Sequence, residues 1–78
     1  MQATDVVELL EELKEEEDLP RGVQEKIHEM IHVLEEDIDL ELRIDRVRSI
    51  LDDLEEQANL PNYLRTQLWH IAASLEML

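Results

Sequence analysis

A chain of 78 residues, 44% hydrophobic and free of cysteine, can build one domain with a small core and excludes both disulfides and a thiolate metal site. Twenty-one acidic residues against seven basic ones leave a net charge of −14, which repels phosphate backbones and anionic lipid and so excludes nucleic acid and membrane as partners. No apolar run reaches the about 18–20 residues of a membrane span, and Met1-Gln2-Ala3-Thr4-Asp5 leads into acidic helix rather than a secretory signal, so the expectation is a cytoplasmic protein.

The first helix is expected from Thr4 to Glu17. Val6, Leu9, Leu10 and Leu13 recur at i, i+3, i+4 and i+7, one stripe of a 3.6-residue period, with Glu8, Glu11, Glu12, Glu15 and Glu16 facing water. The acidic end of this helix opposes its macrodipole, so packing must hold the last turn. Asp18-Leu19-Pro20 forms a turn, because proline disfavours helix in the residue before it and suits a helix start. Helix two follows to about Glu36, with Val23, Ile27, Met30, Ile31 and Leu34 on one face and Gly22 weakening its first turn. After the short link Asp37-Ile38-Asp39, helix three runs from about Asp39 to Ala58 with the stripe Val47, Ile50, Leu51 and Leu54. Alternation at Ile38, Leu40, Leu42 and Ile44 also fits a strand, but a lone strand has no partner, so helix or irregular entry is expected there. Helix four runs from Pro61 to about Leu78 on Leu64, Leu68, Ile71, Ala72 and Leu75.

The chain is one helix-turn-helix unit written twice, 41 residues apart. Leu19-Pro20 falls on Leu60-Pro61, Val6 on Val47, Leu10 on Leu51, Ile27 on Leu68 and Leu34-Glu35 on Leu75-Glu76. The fold class is therefore all-α: a single domain, 1–78, of two tandem helical hairpins over 1–37 and 38–78. The period lies in the range of HEAT and armadillo repeats, although such arrays usually need three or more units. A compact four-helix bundle carries the same stripes, and the pattern leaves that choice open.

Val6-Val7-Glu8-Leu9-Leu10-Glu11-Glu12-Leu13, Leu19-Pro20-Arg21, Ile50-Leu51-Asp52, Leu64-Arg65-Thr66-Gln67-Leu68-Trp69-His70-Ile71 and Ser74-Leu75-Glu76 together resemble a small, functionally uncharacterised family of archaeal proteins of about this length. The resemblance spans nearly the whole chain, and its most specific part is the Arg-Thr-x-apolar-Trp-x-Ile block. It implies an all-helical archaeal cytoplasmic protein and no activity. The family's second helix is rich in Arg and Ala after the Pro-Arg step. Gly22-Val23-Gln24-Glu25-Lys26-Ile27 departs from that, which removes the basis for a basic surface there.

One string matches a catalytic pattern. His28-Glu29-Met30-Ile31-His32 is an H-E-x-x-H, which places two imidazoles a turn apart for zinc with a glutamate near a bound water. A hydrolase of that kind also needs a third ligand and a cleft, and a glutamate-rich chain produces such a string by accident. The plainer expectation makes His28 and His32 flank residues at the core edge. Glu11, Glu12, Glu15, Glu16, Glu17 and Asp18 could hold divalent cations loosely, but they lack the alternation and glycine turn of a calcium loop. Trp69, the only tryptophan, and Tyr63, the only tyrosine, are expected in or half in the core, with an interface anchor as the other reading. Arg65 is expected to pair with carboxylates of a neighbouring helix. No catalytic, cofactor-binding or metal-ligating residue is assigned and no cofactor is expected.

The expectation for function is a small acidic protein-protein interaction or adaptor protein without catalytic activity. It would form a homodimer or bind a basic protein partner. The alternative is a zinc-dependent hydrolase on His28, Glu29 and His32. The acidity also fits a purely solvated surface, as in a salt-rich cytoplasm.

Overall fold

The computed structural model describes residues 1–57 and 59–78 and contains four helices in chain order: α1 (Ala3–Lys14), α2 (Arg21–Leu34), α3 (Leu40–Glu55) and α4 (Asn62–Glu76). The segment that alternates over 38–44 is helical from Leu40, because a strand there would have no neighbour to complete its hydrogen bonds. Ala58, the expected end of helix three, lies outside the described residues.

Local chemistry fixes the ends. Asp5 accepts a 2.7 Å hydrogen bond from the main-chain N–H of Gln2 and so steadies the start of α1. The expected continuation of α1 to Glu17 stops at Lys14, since Glu15, Glu16, Glu17 and Asp18 would crowd four carboxylates onto the negative end of the dipole. Pro20 and Pro61 cap α2 and α4 in the same extended conformation, with ψ of 144° and 150°. Each offers its carbonyl to the first helical turn, accepting from Gln24 N–H and Arg65 N–H respectively. Proline is suited to this place because its fixed φ leads into the helix, and no helical partner is lost with the missing N–H.

The stripes form one core. Val6, Leu10, Val23, Ile27, Met30, Val47, Leu54, Leu64 and Leu68 are fully enclosed, and Leu51, Leu34, Ile71 and Leu75 nearly so. The repeat is preserved in burial, for Val6 and Val47, Ile27 and Leu68, and Leu34 and Leu75 are each buried on both sides of the 41-residue offset. The core is aliphatic apart from Met30. Val33 and Ser74, also one repeat apart, are buried as well, although neither belongs to the expected stripes. Ser74 satisfies its hydroxyl by donating to the His70 carbonyl oxygen at 2.9 Å.

The packing order decides between stack and bundle. α1 lies against α2 and α4, and α3 lies against α2 and α4. A HEAT-type stack would set like helices side by side, α1 on α3 and α2 on α4. Neither diagonal pair makes a close approach among the described residues. The four helices therefore close as a ring in the order of a four-helix bundle. Exchanging α1 with α3 and α2 with α4 carries the order of that ring onto itself, so the order of packing is compatible with the sequence repeat.

Two arginines bind the ring across its joints. Arg43, near the start of α3, donates from Nη1 to the carbonyl of Leu34, the last residue of α2. Arg65 donates from Nη1 to the Glu55 carbonyl at 3.3 Å and from Nη2 to the Gln57 carbonyl at 3.1 Å. The expected pairing of Arg65 with side-chain carboxylates is thus replaced by capping of the C-terminus of α3. Carbonyls left without helical partners carry the negative end of the dipole and attract a guanidinium fork as a carboxylate does.

Candidate functional site

Met30 and Ile31 belong to the core, so the helical period turns His28, Glu29 and His32 outward, and all three are exposed. His28 borders a surface hollow of ≈ 310 Å³ with Lys14, Gln24 and Glu25. The lysine ammonium there opposes a cation at the same place. Glu29 faces Lys26, its Oε2 3.5 Å from Nζ, and His32 Nε2 stands 3.9 Å from Glu36 Oε1. Glu36 in turn meets Arg46 Nη1 at 3.6 Å. Among the described residues no group of three His, Asp or Glu side chains is placed to hold a metal ion. The string supplies two imidazoles on an open helix face, and the glutamate expected to act on a bound water is turned toward a lysine.

The acidic residues spread along the outside of α1. Glu12, Glu15, Glu16, Glu17 and Asp18 line a hollow of ≈ 410 Å³, and Glu8, Glu11, Glu12 and Glu15 line another of ≈ 220 Å³. Among the described residues no three of these carboxylates are placed to hold a metal ion, which makes them a field rather than a coordination cage.

The outer face of α4 differs from the rest of the surface. Only Glu76 of the 21 acidic residues lies in this helix, with Arg65 and His70 as its basic ones. Asn62, Thr66, Trp69 and Ala73 follow one another at spacings of four, three and four on the solvent side, and Met77 continues the row at the C-cap. Trp69 is 63% exposed, which overturns the expectation that it would lie in or half in the core, whereas Tyr63, 46% exposed, stands about half out of it. The reason is angular. With Leu64, Leu68, Ile71 and Leu75 facing inward, position 69 points away from the bundle whatever residue occupies it. Its repeat partner His28 is exposed for the same reason.

Comparison with known proteins agrees with this architecture. The sequence profile described as Uncharacterised protein family (UPF0147) matches residues 2–78, and the chain belongs to that family. It is 33% identical over 72 residues to the UPF0147 protein of Methanothermobacter thermautotrophicus, covering 91% of this chain and 71% of the relative. Against the UPF0147 protein of Methanosarcina mazei the identity is 30% over 71 residues, covering 90% of this chain and 76% of that one. The crystal structure of the unknown function protein MMP1188 superposes with a TM-score of 0.89 at 30% identity, covering 97% of this chain and 88% of the other.

Proposed function

We propose that this member of the UPF0147 family is a cytoplasmic adaptor that acts by binding rather than catalysis, holding a basic protein partner against its acidic surface. The observation that carries the reading is the division of its surface. Carboxylates outnumber Lys and Arg on α1, on α3 and in the turns that follow α1 and α2, whereas α2 and α4 are balanced and α4 presents an exposed tryptophan. An exposed tryptophan costs solubility unless something covers it. Dense negative charge steers a basic partner and holds it by interactions that salt weakens.

Native mass spectrometry of the tagged chain, isolated gently from its host, tests this reading. The expected result is a complex with a protein rich in Lys and Arg that dissociates as salt rises. The complex should be lost in the double variant Glu12→Lys, Glu15→Lys. A folded chain that carries no basic partner at low salt would overturn the adaptor reading.

A further inference from the structure

We propose that the edge where α1 meets α4 seats a basic segment of the partner protein, a short stretch of Lys or Arg with one aliphatic side chain among them. The proposal rests on the adaptor reading above and names the place and chemistry of its contact.

A hollow of ≈ 110 Å³ opens at this edge, lined by Leu9, Glu12, Leu13 and Glu16 on the α1 side and Gln67 on α4. Leu13 is buried and Leu9 half-buried, so the outer margin of the α1 stripe forms an apolar floor that water still reaches. The space takes about one aliphatic side chain. Glu12 and Glu16 stand exposed on its rim, four residues apart, and Gln67 opposite them is uncharged. A side chain entering the hollow therefore brings its neighbours against carboxylates on the α1 side.

Charge decides the occupant. Glu12 also lines both of the larger acid hollows, so the apolar floor borders the densest negative field on the molecule. Among the described residues no carboxylate of α1 or of the turn after it is in an ion pair, whereas Glu25, Glu29 and Glu36 each face an Arg, Lys or His. Lys14, the one cation of α1, borders the hollow beside His28 and not this one. On α3 the carboxylates are interleaved with Arg43, Arg46 and Arg48. Like charges four residues apart repel along a helix, as Glu8, Glu12 and Glu16 do, and a cation from outside relieves that repulsion. A second copy of net charge −14 would add to it. A metal ion finds no three ligands here, and a wholly polar cationic chain leaves Leu9 wet. A basic segment with an apolar anchor answers both the rim and the floor.

Fluorescence anisotropy of labelled peptides with the full chain at low salt tests the proposal. One peptide carries a leucine between two pairs of lysines, and the other has serine in place of that leucine. The leucine peptide is expected to bind about tenfold more tightly, since only it buries an aliphatic side chain. Glu12→Gln combined with Glu16→Gln should weaken it about tenfold, and Gln67→Arg should do the same from the α4 side. Asp52→Asn combined with Asp53→Asn removes the same charge from α3, which does not pack on α1, and should change affinity less than about twofold. All five positions are exposed, and circular dichroism checks that each variant is folded. Equal affinity of the two peptides, equal losses from the α1 and α3 pairs, or no binding of either peptide overturns this seat. The adaptor reading fails separately, when the native chain carries no basic protein at all.

Discussion

Arg43 reaches back nine residues to donate from Nη1 to the Leu34 carbonyl at 2.9 Å, so the first turn of α3 is fastened to the last residue of α2. The bond is partly buried and charge-assisted. The same side chain also leaves its Nε buried without a partner, which offsets part of the gain. Arg43→Ala is therefore expected to lower stability by about 1–2 kcal/mol in urea unfolding. Arg46→Gln, which removes the half-exposed pair with Glu36, should cost no more than about 0.5–1 kcal/mol and lose that effect in salt. Equal costs for the two would refute the distinction between capping and surface pairing.

Gly22 is the second residue of α2, has no positive φ, and faces open space where a Cβ would stand. The conformational freedom it loses on folding thus brings no structural return. Gly22→Ala should raise stability by about 0.5–1 kcal/mol, mostly by restricting the unfolded chain. A lower melting temperature for this variant would show that the position has a role the fold does not reveal.

Glu16 sits just past the end of α1, its N–H bonded to the Leu13 carbonyl at 3.2 Å and its carboxylate close to the negative end of the helix. Reversing that charge with Glu16→Lys is expected to stabilise the protein by about 0.3–1 kcal/mol, with the gain fading as salt is raised. Circular dichroism melts at two ionic strengths would check both the sign and the salt dependence.

The histidine pair yields a prediction about zinc. With His28 and His32 as its only imidazoles on that face, the wild-type protein should show no saturable micromolar binding in calorimetric titration. His32→Ala should leave the weak heat of mixing unchanged. Tight stoichiometric binding that this substitution abolishes would restore the hydrolase reading.

Much of this molecule was legible in its sequence, and the failures have definite causes. The stripes on Val6, Ile27, Leu51 and Leu68 named the core correctly, because a period of 3.6 fixes which side of a helix is apolar. They could not name the helix that each side faces, so stack and bundle stayed equal until the packing of α1 on α4 was seen. Trp69 was misplaced by residue type: tryptophan favours burial, yet its angle from Leu64 and Leu68 already put it outside. Val33 and Ser74 were missed for the opposite reason, since each lies beside the stripe rather than on it. The acceptors of Arg65 were out of reach, for sequence shows charged side chains and not which helix end lies beside them. The unassembled H-E-x-x-H was half visible, because Met30 and Ile31 within it belonged to the core stripe and turned its histidines outward.

The closed order of the helices also bears on how the chain folds and opens. Three of its four interhelical contacts join consecutive helices, and only α1 against α4 requires the two ends of the chain to meet. Contacts between neighbours close short loops and form early, which places such a bundle among fast folders on the microsecond-to-millisecond scale. The α1–α4 seam closes the largest loop, so it is the natural last step of assembly and the first to part. Each parting would bare Leu64 and Leu68 together with Val6 and Leu10. Amide exchange in native conditions would then be fastest in the two terminal helices and slowest where α2 meets α3. The joint that makes the ring complete is thereby also its hinge in time.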